Sequence, residues 1–121
     1  MKENIEKLCQ LYREHINIPV FENSLPEGFS SECIVIREDP ENKRLKKDEY
    51  HINVYVPNKV RMLGDYKDRS YPDFKKLDYL EDQVLMVLEE YGTKRDKFSV
   101  HIRKYIKEGE MHLLDLCLYP L

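Results

Sequence analysis

The sequence predicts an α+β fold, with an antiparallel or mixed sheet of about four strands and two helices packed on one face in the order α-β-β-α-β-β. Three observations carry this prediction. Apolar residues recur at helical spacing from Asp73 to Tyr91, they alternate with polar ones at period two in three shorter runs, and no strand-helix-strand repeat with glycine-rich turns is present. At 121 residues the chain reads as one domain, 1–121, long enough to bury a single core.

Residues 2–16 place Ile5, Leu8, Cys9, Tyr12 and Ile16 on one face of a first helix, with Glu3 and Glu6 near its positive end. Asn17 and Pro19 end it, and Ile18 to Phe21 continue as a short extended piece. Leu25-Pro26-Glu27-Gly28 reads as a turn with proline second and glycine fourth. Cys33 to Ile36 is the first strand. Glu38 to Glu49, EDPENKRLKKDE, holds one apolar residue, Leu45, and reads as a solvated hairpin connection in which Lys43, Arg44, Lys46 and Lys47 are a charge run. In Tyr50 to Val56, Ile52, Val54 and Val56 face one way and His51, Asn53 and Tyr55 the other, as in a strand covered on one side.

Pro57 to Tyr71, PNKVRMLGDYKDRSY, has no regular periodicity over its fifteen residues, longer than the usual connection in a compact domain. It also carries Val60, Met62, Leu63 and Tyr66, which a merely solvated loop does not need. The segment reads as a partner-ordered loop, with Lys59, Val60, Arg61, Met62, Leu63 and Tyr66 expected at a partner or oligomer interface.

The helix from Asp73 to Tyr91 has the apolar stripe Phe74, Leu77, Leu80, Val84, Val87, Leu88 and Tyr91, and Lys75, Lys76, Asp78, Glu81, Asp82, Glu89 and Glu90 form its other face. Ser70 or Asp73 can cap its start and Gly92 its end. Phe98, Val100, Ile102 and Ile106 then alternate with Ser99, His101, Arg103 and Tyr105. A hairpin at Glu108-Gly109-Glu110 leads to a strand with Leu114, Leu116 and Leu118 on one face. Matching the apolar rows sets Ile102 opposite Leu116 and Val100 opposite Leu118, and brings Arg103 beside Asp115.

Composition narrows the function classes. The chain is 36% charged with a net charge of −3, whereas a duplex-binding surface shows as a basic excess, so nucleic acid is disfavoured. Cys9, Cys33 and Cys117 are an odd, widely spaced set that reads as reduced, buried thiols of a cytosolic protein. MKENIEK is charged where a signal peptide needs an apolar stretch, and the longest apolar run is Val84 to Leu88, so no membrane association is expected.

Catalytic and cofactor-binding residues are not expected. The four glycines, Gly28, Gly64, Gly92 and Gly109, are isolated, and no serine stands in a nucleophile elbow. His51, His101 and Cys117 share the face away from the helices, a conceivable metal trio, but zinc-type ligand spacing is missing and no metal is expected. Asp78 and Asp82 lie on the charged helix face and read as solvated. Tyr55 and Tyr105 beside Arg103 and Lys104 resemble a base-stacking platform, the basis of an alternative RNA-binding reading.

The chain as a whole resembles the small tail-completion and tail-terminator (head-tail joining) proteins of long-tailed bacteriophages and prophages. The points of resemblance are a first helix leading into IPVF, the turn LPEGF before ECIVIRE, HINVYVPN followed by a long loop, YPDFKKLDYLEDQVLMVLEEYG, and a terminal hairpin. The resemblance implies a non-enzymatic structural protein. It would form a homo-oligomeric ring, a hexamer being one order to test, that caps the tail tube and meets other tail or connector proteins. Its ring contacts would lie in Pro57 to Tyr71 and Glu38 to Glu49, and its location would be the host cytoplasm during assembly, then the virion tail or neck. The alternative is a small bacterial protein-protein interaction module.

Overall fold

The computed structural model describes the backbone of residues 2–42, 47–91 and 98–120, and the side chains of residues 5–38, 49–90 and 103–118. The fold is α+β. In chain order it runs α1 (Lys2–His15), β1 (Val20–Glu22), β2 (Cys33–Asn42), β3 (Lys47–Pro57), β4 (Lys59–Leu63), β5 (Tyr66–Tyr71), α2 (Phe74–Tyr91), β6 (Phe98–Glu108) and β7 (Met111–Pro120). Five strands make a mixed sheet in the order β1-β2-β3-β7-β6, and β4 and β5 form a separate two-stranded sheet. The expected order of four strands therefore changes in two places.

The first is the short extended piece before the turn, which is β1, parallel to β2 with Val20 beside Ile34. The second is the segment from Pro57 to Tyr71, which is a hairpin and not an irregular loop. Its turn is Gly64-Asp65, where Gly64 adopts φ 65°, a conformation that costs a residue without Cβ nothing. The Glu38 to Glu49 connection also shrinks, because β2 runs on to Asn42 and β3 starts at Lys47. Lys43, Arg44, Leu45 and Lys46 lie outside the described residues, as does Gly92.

Both helices cover one face of the sheet. Ile5, Leu8, Cys9 and Tyr12 of α1 and Leu77, Leu80, Val84 and Val87 of α2 join Ile34, Ile36, Tyr50, Ile52, Val54, Val56, Leu114, Leu116 and Leu118 in one core. The Tyr12 hydroxyl donates to the Val84 carbonyl across 3.1 Å, which ties the two helices together. At the start of α2 the Asp73 carboxylate accepts the Lys76 N–H at 3.1 Å, an N-cap. Phe74 is the exception among the described side chains of the stripe, and that of Tyr91 lies outside them. Phe74 is exposed and stacks edge-on against Tyr105 at 5.4 Å and Tyr71 at 6.2 Å.

The opposite face is only partly open, contrary to the expectation of a strand covered on one side. Cys33, Val35, Tyr55, Met111 and Leu113 form a second cluster under Phe21, Leu25 and Phe29. Phe21 of β1 and Phe29 of the connection to β2 meet edge-on there, with ring centroids 5.0 Å apart. The turn within that connection is one residue later than expected: the Phe29 N–H donates to the Pro26 carbonyl at 3.0 Å, with Gly28 third at φ 79°.

The β6–β7 register also departs from the apolar matching. Val100 pairs with Leu118 as expected, but a bulge between Val100 and Ile102 sets Ile102 opposite Cys117 and Arg103 opposite Leu116. One extra residue reverses the faces beyond it. Arg103 and Tyr105 therefore turn toward α2, where Arg103 binds Glu81 and the Tyr105 hydroxyl donates to Asp78 at 2.9 Å. Lys104, not Arg103, stands beside Asp115.

The buried stripe gives a direct check. Val84 is fully buried and Asp82 exposed. An unpaired carboxylate at residue 84 costs several kcal/mol, so Val84→Asp abolishes cooperative unfolding, whereas Asp82→Ala changes stability by less than about 0.5 kcal/mol. Thermal melts of the two variants measure this, and equal midpoints would refute the assignment.

Candidate functional site

The hairpin of β4 and β5 carries the expected interface residues. Every residue of β4 is exposed, and Val60, Met62, Leu63 and Tyr66 are each more than half exposed, at 56, 57, 57 and 68%. Strand alternation and the ladder place Leu63 and Tyr66 as a cross-strand pair on one face, with Val60 and Met62 on the other. Apolar side chains therefore stand in water on both faces of the arm. Lys59 and Arg61 are exposed between them.

The arm is braced by polar contacts. Asp68 accepts from the Ser70 hydroxyl at 2.6 Å, from the Ser70 N–H at 3.0 Å and from Arg61 Nε at 3.1 Å. The Ser70 hydrogen bonds and then Arg61 hold its carboxyl down at about 2. The Arg61 guanidinium also lies 4.4 Å over the Tyr71 ring. At the base, Asn58 is the pivot. Its N–H donates to the Glu110 carbonyl at 2.9 Å, its amide donates to the Arg69 carbonyl at 2.8 Å, and its Oδ1 meets His112 Nδ1 at 2.6 Å. That last contact requires the Nδ1–H form of His112.

A second constellation lies on the outer face of β3 and β7. His51 pairs with Cys117 and Asn53 with Asp115 across the ladder. Asp115 is buried and accepts from Asn53 at 2.6 Å, with His51 Nδ1 at 3.0 Å. Burial works to raise the Asp115 pKa, but the His51 and Asn53 hydrogen bonds and the His51 charge outweigh it and lower it. The same hydrogen bond raises His51 against its own burial. Cys117 donates to Glu49 Oε1 at 2.6 Å, and the same oxygen is 3.5 Å from His51 Nε2.

Of the trio weighed from the sequence, the structure brings together His51 and Cys117. The His101 side chain lies outside the described residues, and the third convergent group is Glu49, two residues before His51 on the same strand face. Glu49 escapes a sequence reading that assigns it to the wet connection. All three cysteines are buried without a disulfide, and burial pushes the Cys9 and Cys33 thiols up to about 11.

The base-stacking platform does not form. Tyr55 is buried in the outer cluster and donates to Glu108 at 3.2 Å, whereas Tyr105 is on the helix face. Asp78 and Asp82 make no carboxylate pair, since Asp78 is taken by Arg103 and Tyr105. Among the described residues no helix is long and apolar enough to cross a membrane. No protein-family model matches the chain, and no curated protein matches it in sequence.

The base of the arm makes a pH prediction. Burial, and secondarily the Lys107 charge paired across the ladder, lower His112 below its ordinary value. A histidine that titrates lower when folded stabilises the fold fully above its unfolded value of about 6.5 and loses that contribution as pH falls through the folded value. Between about pH 7.5 and about pH 5, the melting midpoint of the native chain is expected to fall further than that of His112→Gln, which cannot titrate. Parallel slopes would show that His112 carries no such linkage.

Proposed function

We propose that the chain is a non-enzymatic assembly protein that joins copies of itself head to tail into a closed ring, the role implied by its resemblance to tail-completion proteins. In that role it caps a tail tube or joins tail to head, and meets other tail or connector proteins. The observation that carries the reading is the projecting hairpin, whose apolar residues are wet on both faces. A neighbour that takes up the arm removes that surface from water, and a head-to-tail contact of this kind closes into a cycle when the rotation per subunit divides a full turn.

Charge supports a second copy as the neighbour. From Lys59 to Tyr71 four cations face two acids, leaving +2, so the remainder of a chain of net charge −3 carries −5. A basic arm on an acidic body favours arm-to-body association between copies. The outer surface of α2 fits the arm. Tyr79 and Met86 are exposed there, at 55 and 42%, on the same stripe as the exposed Asp82, Glu89 and Glu90.

Light scattering on the purified chain tests the reading. The native chain is expected to be a concentration-dependent oligomer that loosens with salt, as screened charges require. Replacing Met62 and Leu63 together by Ser is expected to leave the circular dichroism unchanged and yield monomer, because it removes contact area without touching the core. A native chain that stays monomeric, or a double variant that assembles normally, would refute the arm as the contact.

A further inference from the structure

Glu49 and His51 of β3 and Cys117 of β7 bring an oxygen, a nitrogen and a sulfur within 4.8 Å of one another on the outer face of the sheet. The placement follows from the fold: His51 and Cys117 are opposed across the ladder, and Glu49 shares the face of His51. His51 is oriented from behind. Its Nδ1 lies 3.0 Å from Asp115 Oδ1, and Asp115 is itself fixed by Asn53 at 2.6 Å. An imidazole that gives its Nδ1–H to a carboxylate presents Nε2 as a lone-pair donor, the way metal-bound histidines are usually held.

We propose that Glu49, His51 and Cys117 form a three-ligand site for zinc, with water in the fourth position and Asp115 as the residue that positions His51. The donor set selects the metal. A thiolate, an imidazole and a carboxylate suit a borderline divalent cation, whereas calcium and magnesium take oxygen ligands. Bond lengths of about 2.0–2.3 Å in a tetrahedron put neighbouring ligand atoms about 3.2–3.7 Å apart, so the side chains need shift only on the order of an ångström. Binding forms a zinc–sulfur bond and releases the Cys117 thiol proton to solvent, and the thiolate and carboxylate offset the two charges of the ion. The expectation of no metal rested on the missing zinc-type ligand spacing along the chain, and the ladder brings Glu49, His51 and Cys117 together without such a motif.

The test uses the untagged chain, stripped with chelator and titrated with cobalt(II). One equivalent is expected to produce the near-ultraviolet thiolate-to-cobalt charge-transfer band, which zinc then displaces. Cys117→Ser abolishes the band, Glu49→Gln and Asp115→Asn weaken cobalt binding by about 10–100-fold, and Cys33→Ala leaves it unchanged. If Cys117→Ser fails to fold, Glu49→Gln, at a partly exposed position, decides the matter. Absence of the band in the native chain, its persistence in folded Cys117→Ser, or unaltered affinity in Glu49→Gln would overturn the site.

Discussion

The alternation of side chains along β3 is the constraint on which the other elements depend. This strand is paired on both edges, by β2 and β7, and both of its faces are covered for much of its length. Tyr50, Ile52, Val54 and Val56 must meet the helices, while His51, Asn53 and Tyr55 must find company on the outer face. A slip of one residue would drive His51 and Asn53 into an apolar core and cost several kcal/mol for each unpaired polar group, so the register has no near-degenerate rival. The neighbours follow the same division. Cys33, Val35 and Leu113 surround Tyr55, and Asp115 and Cys117 answer Asn53 and His51.

The elements that satisfy one period on one buried face were legible in the sequence. The α1 face, the alternation in β3 and β7, and the α2 stripe from Leu77 to Leu88 place their residues as read, because burial on a single side writes a regular pattern. The bulge in β6 left no such mark. Phe98 to Ile106 breaks its apolar parity only at Lys104, and the reversed face sets Tyr105 against the helix-side core and Arg103 against Glu81 and Asp78 on α2. These tertiary contacts are invisible to local periodicity, and the shifted register pairs Tyr105 with Leu114 and Ile106 with Leu113. β1 is three residues long and too short to show a period.

The arm was misread for the opposite reason. Neither face of β4 and β5 is buried against the body, so neither is selected for alternation, and a strand with apolar groups on both sides looks aperiodic. Leu63-Gly64-Asp65-Tyr66 was the available signal, a two-residue turn between residues that pair in the ladder. The exposed residues themselves were legible, since apolar groups in a polar stretch need an explanation whatever the backbone does. The outer-face cluster was half legible: His51 and Cys117 followed from strand parity, and Glu49 was missed with the true start of β3.

The arm and the cluster stand at opposite ends of β3, with Glu49 and His51 near its start and Asn58 just past its end. Nine residue steps separate Glu49 from Asn58, about 30 Å at ~3.3 Å per residue, well beyond the Debye length of about 8 Å at physiological salt. Charge changes in the cluster are therefore screened from the arm, and any communication must be mechanical, through a strand held on both edges. At its end the arm is rooted by Asn58, whose N–H donates to the Glu110 carbonyl and whose Oδ1 meets His112. The proposed ring would need a well-rooted arm, because closure depends on each subunit repeating the same rotation. The polar pairs joining β3 to β7, His51 and Asn53 with Asp115, add side-chain bonds to the ladder of the strand that carries the arm.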